Sequence, residues 1–340
     1  MATTSRNEYF DILRGIAIIA VVAIHSIGTG LSQSPQSFDF NLTLLFRNAI
    51  NFAVPLFLAI SGYFLASKKV ENFSQYLVFI QRQIPKVYVP LMLWSLIWFL
   101  LTYLRGEGWQ LFKLFTFQAN EIYYFIALII QCYLLLPWLK KLATNAGLLF
   151  SVVLSVTMTY VIFALRYYAY IDLPLIAYAG NVLTWMMFFV LGLYFGKNKT
   201  LAISQGKLLT LVVLSFVLSC IESYWLITKF AQPGEAVTAV KASSFLYSFF
   251  VILLLFKHQT MFSSKLLKRF GEASFGIYLV HMLVLILVGA VIKRVAPWLL
   301  NETLLYQFIL IFSVSFLSLF GIKVTIKILP KRMSDRLGLS

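Results

Sequence analysis

Ten apolar windows, each near the length of about 20 residues that a helix needs to cross a bilayer core, set the terms for this chain. They fall near 11–30, 44–66, 84–104, 121–139, 147–166, 175–196, 207–228, 239–257, 274–295 and 304–329. A length of 340 residues would ordinarily suggest one large soluble domain or two small ones. Composition overrides that: 61% of residues are hydrophobic, 12% are charged and mean hydropathy is +0.86, outside the soluble range. The expected fold is an all-α integral membrane protein. A single polytopic domain over 1–340 would form a bundle of about ten transmembrane helices. Pro85 and Pro90 predict a bent or interfacial start to the third window.

The net charge of +16 would raise the question of nucleic acid in a soluble protein. Here the cations sit in short blocks between apolar runs, and no nucleic-acid motif accompanies them, so topology is the simpler cause. Four alternate loops hold thirteen: Lys68, Lys69, Arg82, Lys86, Lys140, Lys141, Lys197, Lys199, Lys207, Lys257, Lys265, Lys268 and Arg269. Lys331, Arg332 and Arg336 follow on the same side. The five opposite loops hold eight, Arg47, Arg105, Lys113, Arg166, Lys229, Lys241, Lys293 and Arg294, with most of the loop acids, Glu107 among them. The positive-inside rule then places both termini in the cytoplasm. A single Arg6 precedes the first window and no small-residue cleavage site follows it, so that span is expected to be retained. Cys132 and Cys220 lie in apolar runs, match no metal or redox spacing, and read as small buried hydrophobes.

The first window, FDILRGIAIIAVVAIHSIGTG, carries ionisable groups that lipid does not want. Arg14 and His25 are eleven residues apart, three helical turns plus roughly 20°, so both project from one face about 16 Å apart along the axis. Asp11, at i−3, can pair with Arg14 and lower the cost of burying it. Each alone has an ordinary explanation, a snorkelling arginine and an interfacial histidine. Together on one face they point to a lined pathway, and a neutral imidazole at that depth can act as a general base.

The pattern D-x-L-R-G-x-A-x-x-x-V-V-x-x-H in this window resembles the opening signature of the membrane-bound acyltransferase 3 family. Four further segments are similar to that family in the same order: VPLFLAISGYFL (54–65), YFIALIIQCYLLLPWL (124–139), FFVLGLYFGK (188–197) and FGEASFGIYLVHMLVL (270–285). The resemblance implies an enzyme that moves an acyl group, usually acetyl, from cytoplasmic acyl-CoA to a hydroxyl of a surface or lipid-linked glycan. Acetyl-CoA or another acyl-CoA is then the donor substrate, no cofactor or metal is held permanently, and membrane lipids surround the bundle. Stand-alone members of this length resemble O-acetyltransferases of enterobacterial common antigen and other surface polysaccharides, implying a bacterial cytoplasmic (inner) membrane.

Carried over onto matching positions, His25 becomes the essential histidine and Arg14 its paired arginine. Glu121, which opens the fourth window, could orient the imidazole or simply favour a helix N-terminus. Arg82 and Lys86 could seat the donor phosphates or serve as topogenic charge. Many family members carry R-x-x-R before the proline of the third span; counting back from Pro90 gives Gln83 and Lys86, with Arg82 one place off. Ser61 with Gly62 reads as close helix packing ahead of a substrate role. Ser274, Tyr278 and His281 form one stripe of the ninth window, to line a donor passage or bond between helices. The stripe starts at the expected cytoplasmic end, so His281 is expected in the opposite half of the membrane from His25 and not paired with it. The competing class is a polytopic transporter or flippase, which buried ionisable residues would also suit. Against it stand the absence of an internal repeat and of an acidic relay in the sequence.

Overall fold

Inside lipid a long apolar segment must satisfy its own backbone, and a helix does so within one segment. The computed structural model describes residues 8–106, 111–198, 200–258 and 263–339, and every regular element among them is helical. Arg6, Glu107 and Lys199 lie outside the described residues.

The principal helices are α1 Glu8–Ser26, α2 Phe38–Ala49, α3 Ala53–Leu65, α4 Phe73–Leu104, α5 Tyr124–Leu134 and α6 Asn145–Tyr167. They continue with α7 Val182–Gly196, α8 Gln205–Phe230, α9 Ala242–Lys257, α10 Lys265–Glu272, α11 Ser274–Val295 and α12 Thr303–Ile328. Ser37, Asn72, Thr144, Ser204 and Ser264 each cap a helix by accepting a first-turn N–H through the side chain.

Seven helical segments are long and apolar enough to cross a membrane: Glu8–Ser32, Phe38–Leu65, Phe73–Leu104, Asn145–Tyr167, Gln205–Phe230, Ser274–Val295 and Thr303–Ile328. Three shorter apolar helices, Glu121–Leu134, Val182–Gly196 and Ala242–Lys257, occupy the other windows. The chain is thus a multi-pass membrane protein.

Several windows differ in detail from the expectation. The window 44–66 is broken between α2 and α3, and 84–104 belongs to a helix that starts at Phe73 and carries both prolines inside it. Each proline forgoes its own N–H bond and crowds the carbonyl four residues back, a local disruption that a 32-residue helix carries. The window 121–139 is interrupted at Leu135, where Pro137 opens a separate short helix. In 175–196, Gly180 ends a single turn before α7 begins. There Gln131 bridges the break, donating to the Gly180 carbonyl at 2.7 Å and accepting from the Val182 N–H at 3.1 Å.

The chain divides into two compact units. In the unit formed by 58–200 and 329–340, α7 is the buried centre. A Cβ at Gly62 would overlap the Phe189 carbonyl, one at Gly192 the Ala59 carbonyl, and one at Gly196 the Tyr63 carbonyl. The S-G-Y and G-x-x-x-G segments are therefore two sides of one contact between α3 and α7, in the manner of small-residue packing in membranes. Ser61 is half-buried one position before it.

In the unit formed by 1–57 and 201–328, α1 packs against α10, α11 and α12. Beside it, α2, α8 and α9 share a buried polar network. Lys241, expected as a loop cation, is 6% exposed. Its Nζ donates to Asn48 Oδ1 at 2.9 Å, the Ser219 carbonyl at 2.7 Å and Ser223 Oγ at 2.5 Å. An ammonium has three donors, and here all three are used. The break between α2 and α3 allows this: Asn51, just past it, donates to Thr238 and Ser244 while Asn48 serves Lys241. Cys132 and Cys220 are buried free thiols, as their apolar settings implied.

Candidate active site around His25

Acidic Glu8 and Asp11 occupy the first turn of α1 and His25 the last, the placement that the helix dipole favours. Ser26 turns back to donate to the Val22 carbonyl at 2.8 Å. A 3₁₀ turn, Thr29–Ser32, follows and is held in place by Gln307 of α12. The Gln307 amide donates to Thr29 Oγ1 and accepts from Thr43 Oγ1, both at 3.3 Å. His25 is thereby presented, exposed, to a cavity of about 570 Å³. The polar part of its wall is His25, Ser26, Thr29, Ser32, Lys293 and Tyr306.

Two further groups reach His25. Arg47 of α2 donates from Nη1 to the carbonyl of Ile24 at 2.5 Å, and its guanidinium is within electrostatic range of the imidazole. The carbonyls of the last helical turn lack intrahelical partners, so this bond also closes the end of α1. His281 of α11 lies alongside, with ring centroids 5.4 Å apart and the rings tilted by 48°.

The second contact corrects the expectation that the two histidines occupy opposite halves of the membrane. α11 does not begin at the level where α1 begins. The amphipathic α10 precedes it and packs along the first turns of α1, where Lys268 bonds Glu8. Gly15 and Gly271 then meet: a Cβ on Gly271 would overlap the Asp11 carbonyl oxygen, and one on Gly15 that of Leu267. His25 and His281 each stand ten residues beyond these glycines, a rise of about 15 Å along α1 and along α10 and α11, which only Ala273 separates. Running parallel from a shared contact, the helices bring the rings level.

At the other end of α1, Arg14 Nη1 pairs with Asp11 Oδ1 at 2.8 Å, as its i−3 position implied, and the Asp11 side chain is 1% exposed. Between Arg14 and His25 the same face carries Ile18 and Val21, both buried. The face expected to line a pathway is therefore two polar stations joined by an apolar seam. Ser274 and Tyr278 are buried on α11 below His281.

Arg82, Lys86, Ser61 and Glu121 belong to the other unit. Arg82 and Lys86 are exposed on α4 one turn apart. Glu121 is exposed at the start of a 3₁₀ turn, Glu121–Tyr123, capped by Asn120. The sequence reads Arg47 as a loop cation although it lies inside the window 44–66. An ionisable group within a span is by default a functional candidate, and that was the available signal. Lys293, inside the window 274–295, carried the same mark, whereas Tyr306 did not.

A family model described as an acyltransferase domain matches residues 7–323. No curated protein and no solved structure matches the chain.

Proposed function

The chain belongs to this acyltransferase family, and we propose that it is a membrane-embedded O-acyltransferase. It would move an acyl group, by default acetyl, from cytoplasmic acyl-CoA to a hydroxyl of a cell-surface or lipid-linked glycan. The observation that carries the proposal is His25, exposed at the wall of a polar-lined cavity in a chain whose family transfers acyl groups.

The seven long helices and three shorter apolar ones support ten crossings, an even number that suits both termini in the cytoplasm of a bacterial inner membrane. Burial of Arg47 and Lys241 within the protein removes two cations from the expected outer loops and sharpens the positive-inside asymmetry. In that orientation Arg14 lies toward the donor side, and the cavity at His25 opens toward the acceptor side. Arg82 and Lys86 on α4 are the proposed seat for donor phosphates.

The chemistry is one displacement. A glycan hydroxyl is a poor nucleophile until a base takes its proton. His25 accepts that proton as the hydroxyl oxygen bonds to the thioester carbonyl carbon. The C–S bond then breaks, and the CoA thiolate leaves and recovers the proton from His25.

The test is transfer of radiolabelled acetyl from acetyl-CoA to endogenous glycans in membranes, comparing the native protein with His25→Ala at equal abundance. Label incorporated by the native protein and lost in the variant is the expected result. Retention in the variant would remove His25 from the chemistry, and no label from the native protein across acyl donors would overturn the proposal.

A further inference from the structure

We infer that His281 is the positioning partner of His25, its Nε2 accepting the ring N–H that His25 turns away from the acceptor. This inference rests on the acyl-transfer proposal above for its consequence but not for its geometry.

His281 has no exposed surface. Its Nδ1 lies 2.8 Å from the Tyr278 carbonyl and 3.1 Å from that of Ile277. A carbonyl only accepts, so Nδ1 carries the hydrogen, and in the neutral ring Nε2 must then present a lone pair. That Nε2 is buried and has no hydrogen-bond partner among the described residues. Buried polar atoms in this condition are uncommon and mark a role or a bound group. The ring beside it is His25, with centroids 5.4 Å apart, near enough for one water or a small approach of the rings to join the two nitrogens.

A histidine base needs one nitrogen free toward its substrate and the other N–H held. In hydrolase triads a carboxylate holds it. His25 has no hydrogen-bonded carboxylate among the described residues, and the cation Arg47 is within electrostatic range of it. The neutral Nε2 of His281 supplies the acceptor instead. It keeps its own Nδ1 hydrogen throughout, so the only proton that moves is the one exchanged between the hydroxyl, His25 and the leaving thiolate. His281 thereby selects which His25 nitrogen faces the cavity as base.

Three variants separate positioning from packing. His281→Phe fills the volume without an acceptor. His281→Asn keeps a donor near Nδ1 and vacates the Nε2 position, whereas His281→Gln places an amide oxygen near Nε2. Phe and Asn should lower kcat about tenfold or more with the acyl-CoA KM unchanged, and Gln should recover most of the loss. A His281→Phe protein with native kcat, or equal losses in Asn and Gln, would overturn the inference while leaving the transferase proposal standing. A second measurement does not depend on activity. The chain has three histidines, so ¹⁵N-histidine labelling in detergent resolves their tautomers. His25 should show one tautomer in the native protein and an average of two in His281→Phe. An unchanged His25 tautomer would overturn the inference even if the native protein transferred nothing.

Discussion

Gly15 and Gly271 touch backbone to backbone, and the absence of a side chain on either is what lets α10 and α11 lie against α1 at the level that aligns the two histidines. Gly271→Ala would drive a methyl group into the Asp11 carbonyl. Overpacking of that kind typically costs about 1–3 kcal/mol. The expected outcome is a lower unfolding temperature in detergent together with loss of acyl transfer. Gly321→Ala on α12, where an added Cβ meets open space, is the control and should change neither adversely. If Gly271→Ala kept native stability and activity, the alignment would not depend on that contact.

Arg47 closes the end of α1 immediately before the base. Removing a hydrogen bond from a charged donor costs about 1.5–3 kcal/mol, and Arg47→Ala is expected to slow transfer by roughly tenfold to a hundredfold. Arg47→Lys should not restore the rate, because an ammonium offers a compact point charge in place of a planar fork. Initial rates at saturating acyl-CoA, read beside unfolding temperatures, check this. Full rescue by lysine would mean that only the charge matters.

Lys241 has the opposite character. Its ammonium is fully hydrogen-bonded among α2, α8 and α9 and is absent from the cavity wall. Lys241→Met removes one charged donor each from Asn48, the Ser219 carbonyl and Ser223, which keep other partners, and bonds to a charged group are worth about 1.5–3 kcal/mol. Stability should fall while the rate per folded molecule stays near native. A rate loss at unchanged stability would instead place Lys241 in the reaction.

Gly289 offers a graded test of the cavity. A Cβ there would meet only Tyr306 Oη, at 3.8 Å, so Gly289→Ala should be silent. Gly289→Trp would occupy much of the volume beside His25. Transfer to the acceptor should then be lost while acyl-CoA binding, measured by calorimetry, persists. A native acceptor KM in the Trp variant would exclude this cavity as the acceptor's route.

Much of this molecule was legible along the chain, because the forces that write it are local. Lipid demands that each apolar segment satisfy its own backbone, and the ten windows of sequence all correspond to helices, although three of those helices are short and the windows 44–66, 121–139 and 175–196 are each broken, the first by the turn that frees Asn51 for Ser244. The ion pair of Asp11 with Arg14 follows from i, i+3 spacing alone. The signature segments also predicted the family without coordinates.

The depth of one helix against another is not local. Hydropathy locates His281 along its own helix, but its height beside α1 depends on where two backbones can touch. The ten-residue interval from glycine to histidine was present in both D-x-L-R-G…H and G-x-x-S…H, yet it had no meaning until Gly15 and Gly271 were known to meet. Arg47 and Lys241 show the same division. The sequence reads both as loop cations, whereas their burial and partners come from α1, α8 and the helix ends folded around them. The sequence by itself determined the helices, their number of apolar segments and the family chemistry. Only tertiary packing, through steric contacts between residues distant in the chain, decided which polar groups share a site.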